Sequence, residues 1–314
     1  MKLALFTVAY GGLWYAGKAL SIKEQILKAK ELGFQGLSIE TKRPVAFPLD
    51  LDKKARKDIR EFADSQNIEL VALESMSNFA SEAMEIRESN LAMMHDILEL
   101  AMDLEVDIVK VFAGWVGVIN DVGEISEYIS YDMPTAPRSI VEMRKWKRAR
   151  EGIKEAANWA QDMGITITLQ NHPPVLRFGY EDALQMVKEI NMENVKLCLD
   201  APLFGTKQND EYVQDAVEKC ADLIVMSHYG AWNFEETEKG KIVQVPEVIE
   251  VITGGIPINY PAYIRELKRI NFQGYLIQEL CAPVSVNHEY SGLEEVDRRC
   301  KLAASYMRKL IAET

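Results

Sequence analysis

Eight short β-rich runs alternate with amphipathic helical segments along the whole chain, and no other feature limits its fold so tightly. The runs are "KLALFTV", "QGLSIET", "IELVALES", "DIVKVFA", "ITITLQN", "VKLCLD", "DLIVMSH" and "YLIQEL". Most are near-continuous apolar stretches, the pattern of parallel strands covered on both faces. The segments between them carry helix punctuation. Ser21 and Glu24 are spaced as a capping box, Ile22, Ile26 and Ala29 share one face, and Gly33 can take the left-handed cap. Leu91, Met94, Leu98, Ala101 and Leu104 form a second stripe. A long helix ending at Gly164 leads into the fifth strand, and "LEEVDRRCKLAASYMRKLIAE" follows the eighth. Across 314 residues this alternation predicts one α/β domain over 1–314, a single (β/α)8 TIM barrel. The competing doubly wound sheet often carries a glycine-rich phosphate turn after its first strand. "VAYGGLWYAGK" has neither GxGxxG nor P-loop spacing. Long loops are expected after strand four, from Gly114 to about Pro137, and after strand seven, from Tyr229 to about Ile258. Both follow strand C-terminal ends, where lids and partner contacts sit.

The last four strands end in polar side chains. Strand five closes with Gln170-Asn171-His172, strand six with Asp200, strand seven with His228 and strand eight with Glu279. In a barrel these ends meet at one mouth, with adjacent strands about 5 Å apart. Two carboxylates, an imidazole and an amide oxygen form a mixed O/N donor set for a divalent ion. Mn²⁺ is the expected ion, with Mg²⁺ or Co²⁺ as alternatives. Each residue also has a plainer reading: Asp200 before "APLF" could cap the next turn, and a lone strand-end histidine is more often hydrogen-bonded than metallated. Four consecutive strand ends of this kind favour the shared site. Gln170 and His172 are two apart, so both can face the mouth while Asn171 points away, and Pro173-Pro174 stiffens the turn. Of the other histidines, His95 lies beside an apolar helix stripe and His288 in the loop after strand eight, and neither is expected at the site.

This order of strand-end donors resembles the xylose-isomerase-like TIM barrel superfamily, through "TLQNH", "LCLDAP", "IVMSHYG" and "YLIQEL". Its sugar isomerases and ketose epimerases bind a divalent metal through Glu, Asp, His and Glu on strands five to eight. The resemblance implies Gln170, Asp200, His228 and Glu279 as ligands. Two departures stand out: Gln170 replaces the first Glu, and "DAPL" lacks the histidine of the DxGH pattern. The implied chemistry removes a proton next to a sugar carbonyl. A glutamine cannot act as a base, so Glu279 and His172 are the expected catalytic pair. A narrower resemblance, through "VAYGGLWY", "LQNHPP" and "DAPLF", is to the α subunits of bacterial C-glycoside deglycosidases. Those enzymes eliminate an aglycone from a 3-oxo-glucosyl C-glycoside and work with a small β subunit. It implies a lyase in a homo- or hetero-oligomer, with a sugar isomerase or ketose 3-epimerase as the alternative reading. Trp14, Trp115, Asn171 and Trp232 are the expected substrate-binding residues, and the tryptophans could equally pack the lid. Glu40 and Glu74, closing strands two and three, could bind hydroxyls or cap helices.

Composition removes other classes. The net charge of −12 repels phosphate backbones, which excludes nucleic-acid partners. Four histidines are too few for the trinuclear zinc endonucleases of related shape. Cys198, Cys220, Cys281 and Cys300 show no CxxC pairing, and no apolar run is long enough to span a membrane. A cytoplasmic protein is expected. A non-catalytic metal-binding subunit remains as a reading from another class.

Overall fold

The computed structural model describes residues 1–115, 117, 138–230, 233–245 and 253–314. In chain order the strands are β1 (Lys2–Phe6), β2 (Gly36–Glu40), β3 (Glu69–Glu74), β4 (Ile108–Val111), β5 (Thr166–Gln170), β6 (Val195–Cys198), β7 (Ile224–Gly230), β8 (Asn233–Glu236), β9 (Ile242–Val245), β10 (Tyr275–Glu279), β11 (Ser285–Val286) and β12 (Glu289–Tyr290). The described helices are α1 (Ile22–Glu31), α2 (Lys53–Gln66), α3 (Met84–Asp103), α4 (Ile140–Asp162), α5 (Glu181–Ile190), α6 (Asp210–Cys220), α7 (Tyr260–Arg269) and α8 (Leu293–Glu313). Strands β1 to β7 and β10 pair in parallel into a closed barrel of order β1-β10-β7-β6-β5-β4-β3-β2. The expected (β/α)8 architecture is therefore present and the open sheet is not. Closure comes from β1, which pairs with β2 on one side and β10 on the other.

Local chemistry explains the elements. Ser21 caps α1, with Glu24 reaching back to the Ser21 backbone, and Ile22, Ile26 and Ala29 are buried. An unpredicted second capping box, Ser139 with Glu142, starts α4. Helices pack over the outer strand faces, where Leu5, Leu37, Val109, Val111, Leu169 and Leu197 are buried. A smaller cluster fills the lumen: Ala4, Phe6, Ala72, Cys198, Met226 and Ile277. The period-two alternation of the strands sorts side chains between these two cores.

The loop after β4 lies largely outside the described residues, as does part of the loop after β7. Within the latter, where a lid or a partner contact was expected, β8 and β9 form an antiparallel hairpin. Phe234 from it is buried against Tyr306 of α8, so this aromatic serves packing. The four cysteines are free thiols, three of them buried. Among the described residues no helix is long and apolar enough to cross a membrane.

Candidate active site

The C-terminal ends of the strands carry a buried polar cluster. Gln170 and Glu74 are the last residues of β5 and β3, Asp200 lies just beyond β6, and His228 is within β7. Asp200 makes no capping bond to the short 3-10 turn that follows it, which removes the plainer reading of that residue. Its Oδ1 accepts the His228 backbone N–H at 2.6 Å, and its Oδ2 lies 3.0 Å from His228 Nδ1. Gln170 Nε2 donates to Asp200 Oδ2 at 2.6 Å and lies 3.2 Å from His228 Nδ1. Gln170 Oε1 is buried without a partner. Three of the four expected ligands thus meet at one point.

Glu279 stands apart from them, and strand register gives the reason. His228 pairs with Ile277, so Glu279 lies two residues further toward the mouth, roughly 6–7 Å along the strand. It is partly exposed and hydrogen-bonded by the Cys281 thiol. Burial, together with Asp200 and Glu74, raises its pKa above the ordinary carboxylate value, against His228 and Lys110.

Of two further neighbours of the cluster, Lys110 was not foreseen and Glu74 was expected only to bind a hydroxyl or cap a helix. Lys110 points inward from β4, its ammonium 3.1 Å from Glu74 Oε2 and 3.6 Å from the centre of the Phe112 ring. Glu74 neither caps a helix nor lies free: its Oε1 accepts the Ser38 hydroxyl at 2.5 Å and lies 3.0 Å from His228 Nε2. Burial opposes the Glu74 charge, but His228, Lys110 and Ser38 together hold its pKa down, to about 2. Asp200 is likewise lowered, burial being overcome by His228 and by hydrogen bonds from His228 and Gln170. His228 answers in kind: burial disfavours its charge, yet Cys198, Glu74, Asp200 and Glu279 raise it well above the ordinary value. The signal for Lys110 was legible: "DIVKVFA" sets a lysine at the inward parity of an apolar run. Glu40 pairs with Lys42 at 2.9 Å.

The other expected residues separate into groups. His172 is partly exposed, edge-on to Phe112 and Trp115, with Nδ1 against the Pro173 carbonyl. Burial in that aromatic corner lowers its pKa to about 4, with Lys110 and His228 adding. Trp115 stacks on Phe112 at 4.9 Å beside it. Asn171, named as a substrate contact, is fully buried. Its amide holds the Asp200 backbone N–H at 2.8 Å and the Asp200 and Gly179 carbonyls, so it positions Asp200 instead. Trp14 is buried with the lumen cluster, in keeping with the packing reading given beside substrate binding. Trp232 lies outside the described residues. His95 is on the exposed face of α3 beside Trp159, and His288 is in an exposed turn.

The donor set fits a divalent cation. Cys198, Asp200 and His228 each bring one ligand atom within 4.8 Å of the others. Without an ion the network is frustrated. If Gln170 Nε2 faces both Asp200 and a protonated Nδ1, two donors oppose each other, and if the amide rotates, its oxygen opposes a carboxylate. A cation resolves this, because Asp200 Oδ2, Gln170 Oε1 and an unprotonated His228 Nδ1 all offer lone pairs. Glu74 accepting from Nε2 selects that tautomer, as carboxylates behind metal-binding histidines do.

Comparison with known proteins agrees with the geometry. The family profile described as Xylose isomerase-like TIM barrel matches residues 26–302. The chain belongs to this family. Solved structures superpose on it over nearly their whole length. D-psicose 3-epimerase from Clostridium cellulolyticum H10, crystallised with D-tagatose, is 18% identical with a TM-score of 0.71, covering 99% of each chain. The IOLI protein with a bound zinc atom is also 18% identical, with a TM-score of 0.69, over 100% of this chain and 99% of that one. The 3-keto-D-glucoside 4-epimerase YcjR from E. coli is 15% identical, with a TM-score of 0.67, over 98% and 99%. At these identities the likeness establishes the fold. No curated protein sequence matches the chain significantly. The comparisons give nothing for the narrower deglycosidase resemblance.

Proposed function

We propose that this chain is a divalent-metal-dependent sugar isomerase or ketose epimerase that moves a proton at the carbon next to a carbonyl. The observation that carries this reading is the meeting of Gln170, Asp200 and His228 beneath a partly exposed Glu279 with a raised pKa. The epimerases among the similar structures support it. Gln170, Asp200 and His228 would hold the ion, which polarises the substrate carbonyl when bound.

The remaining steps belong to the chain's own groups. Glu279 takes the proton from the carbon next to the carbonyl; returning it to the neighbouring enediol carbon isomerises the sugar, and inversion requires solvent to deliver a proton to the opposite face. His172 Nδ1–H donates to the Pro173 carbonyl, which leaves the Nε2 lone pair free as a second base or hydrogen-bond acceptor. A pKa near 4 keeps that imidazole neutral at physiological pH. Strands β5 and β10 lie three places apart around the ring, so His172 and Glu279 approach a substrate from different sides. Trp115 and Phe112 offer an aromatic wall for the sugar.

One observation favours a second reading. With Gln170 at the first ligand position, one acid/base carboxylate of the two-carboxylate scheme is missing. A single base is enough for elimination from a 3-oxo-glucosyl glycoside, where the aglycone leaves, whereas epimerisation also needs a proton from the opposite face. Incubating the metal-loaded protein in D2O with ketohexoses and with a 3-oxo-glucoside separates the readings by NMR. Epimerisation places deuterium at the carbon next to the carbonyl in a new stereoisomer, and elimination releases the aglycone. Absence of both exchange and release across the panel, with metal bound, sinks the enzymatic reading and leaves a metal-binding subunit.

A further inference from the structure

Cys198 takes no part in the chemistry above, yet it lies against the site. It is the last residue of β6, two before Asp200, and so shares its inward direction. Its Sγ is 3.4 Å from Asp200 Oδ1 and 3.6 Å from His228 Nδ1. Ligands bound to one tetrahedral ion at about 2.3 Å for sulfur and about 2.0–2.1 Å for nitrogen and oxygen stand roughly 3.5 Å apart. The Sγ–Nδ1 spacing matches that figure, and Sγ is also close to the Asp200 carboxylate, whose Oδ1 holds the His228 backbone N–H while Oδ2 faces the ion. A buried thiol packed only for its volume has no need of two polar partners at such distances.

Charge points the same way. Of Gln170, Asp200 and His228, only Asp200 carries a formal negative charge as a ligand, and Glu279 stands one pleat further out. A thiolate supplies the second negative charge that a dication needs there. The buried, unpartnered Gln170 Oε1 is an independent sign that a ligand belongs at this point.

We propose that Cys198 is a metal ligand, and that the ion is a thiolate-preferring one, zinc before manganese or magnesium. This rests on the metal-binding reading of the site given above. It frees Glu279 from coordination and leaves it to the substrate.

Cobalt(II) tests the proposal, because a cobalt–thiolate bond adds an intense near-ultraviolet charge-transfer absorption that oxygen and nitrogen ligands do not give. Wild-type protein loaded with Co²⁺ should show that band. Cys198→Ser should lose it while keeping the weaker visible bands, and its zinc affinity should fall by at least about tenfold. Cys281→Ser should retain the band. Co²⁺ bound by the wild type without the band overturns the thiolate ligand and leaves the metal site standing. Loss of the band in Cys281→Ser but not in Cys198→Ser also overturns it. If equilibrium dialysis finds no Co²⁺ or Zn²⁺ on the wild type, this proposal and the metal-dependent function fall together.

Discussion

Lys110→Met removes a single charge from the centre of the barrel and should be among the most damaging substitutions in the chain. The side chains of Lys110 and Glu74 are 1% and 0% exposed, at a separation of 3.1 Å. At an effective dielectric near 20, that distance corresponds to about 5 kcal/mol of attraction. The ammonium also sits 3.6 Å from the Phe112 ring centre, an interaction of up to about 2 kcal/mol when desolvated. Methionine keeps the aliphatic stem packed, so the loss reports the charge and not a cavity. What remains is a buried Glu74 carboxylate supported by Ser38 and His228 alone. Breaking a buried pair from one side costs about 3–5 kcal/mol, and that is the expected loss. Urea denaturation followed by both circular dichroism and tryptophan fluorescence measures it, provided the two transitions coincide and m is unchanged. The double variant Lys110→Met/Glu74→Gln removes the stranded charge and should recover at least about 1 kcal/mol as a coupling energy. A single variant within about 1 kcal/mol of wild type, or a double variant no better than the single, would refute the buried-charge reasoning.

Three further outcomes follow from the same geometry. Gln170→Glu places a carboxylate where an amide now lies 2.6 Å from Asp200 Oδ2; melting in chelator should fall by several degrees and recover when divalent cation is added, and equal shifts in both conditions would contradict a shared ion. His172→Ala should keep its bound metal and melting temperature while turnover drops on the order of 10²–10⁴-fold; full turnover on a ketose or a 3-oxo-glucoside removes His172 from the reaction. Tyr263→Phe deletes the hydroxyl that donates to the Leu199 carbonyl at 2.5 Å and meets Ser227 Oγ at 3.1 Å, and should cost about 1–3 kcal/mol in the same urea assay, an unchanged midpoint being the contrary result.

The barrel and three members of its polar cluster were legible in the chain itself because both are periodic signals. Near-continuous apolar runs mark strands, and a polar residue at the end of each run marks the mouth. Parity within "QNH" correctly turned Asn171 away from the lumen, though its duty proved to be holding the Asp200 backbone. The part that escaped depends on distance across the ring. Lys110 and Glu74 lie on neighbouring strands but 36 positions apart in the sequence, and Glu74 meets His228 across a separation of 154. Nothing local announces such partners. Glu279 was placed level with the other ligands because strand ends were counted as equivalent, whereas the parallel register sets it above His228. Cys198 belongs to no CxxC pair, and only its level beside Asp200 and His228 distinguishes it.

The contact between His228 and Glu74 joins β7 to β3, and these strands stand diametrically opposite in the ring of eight. It is a tie-rod spanning the full bore. Barrels of this type are ordinarily held round by pairing between neighbours, which resists opening a seam but tolerates ovality. With two side chains braced end to end, flattening or stretching along that diameter must break a hydrogen bond buried away from water. The aperture on this axis is set by the length of one imidazole and one carboxylate.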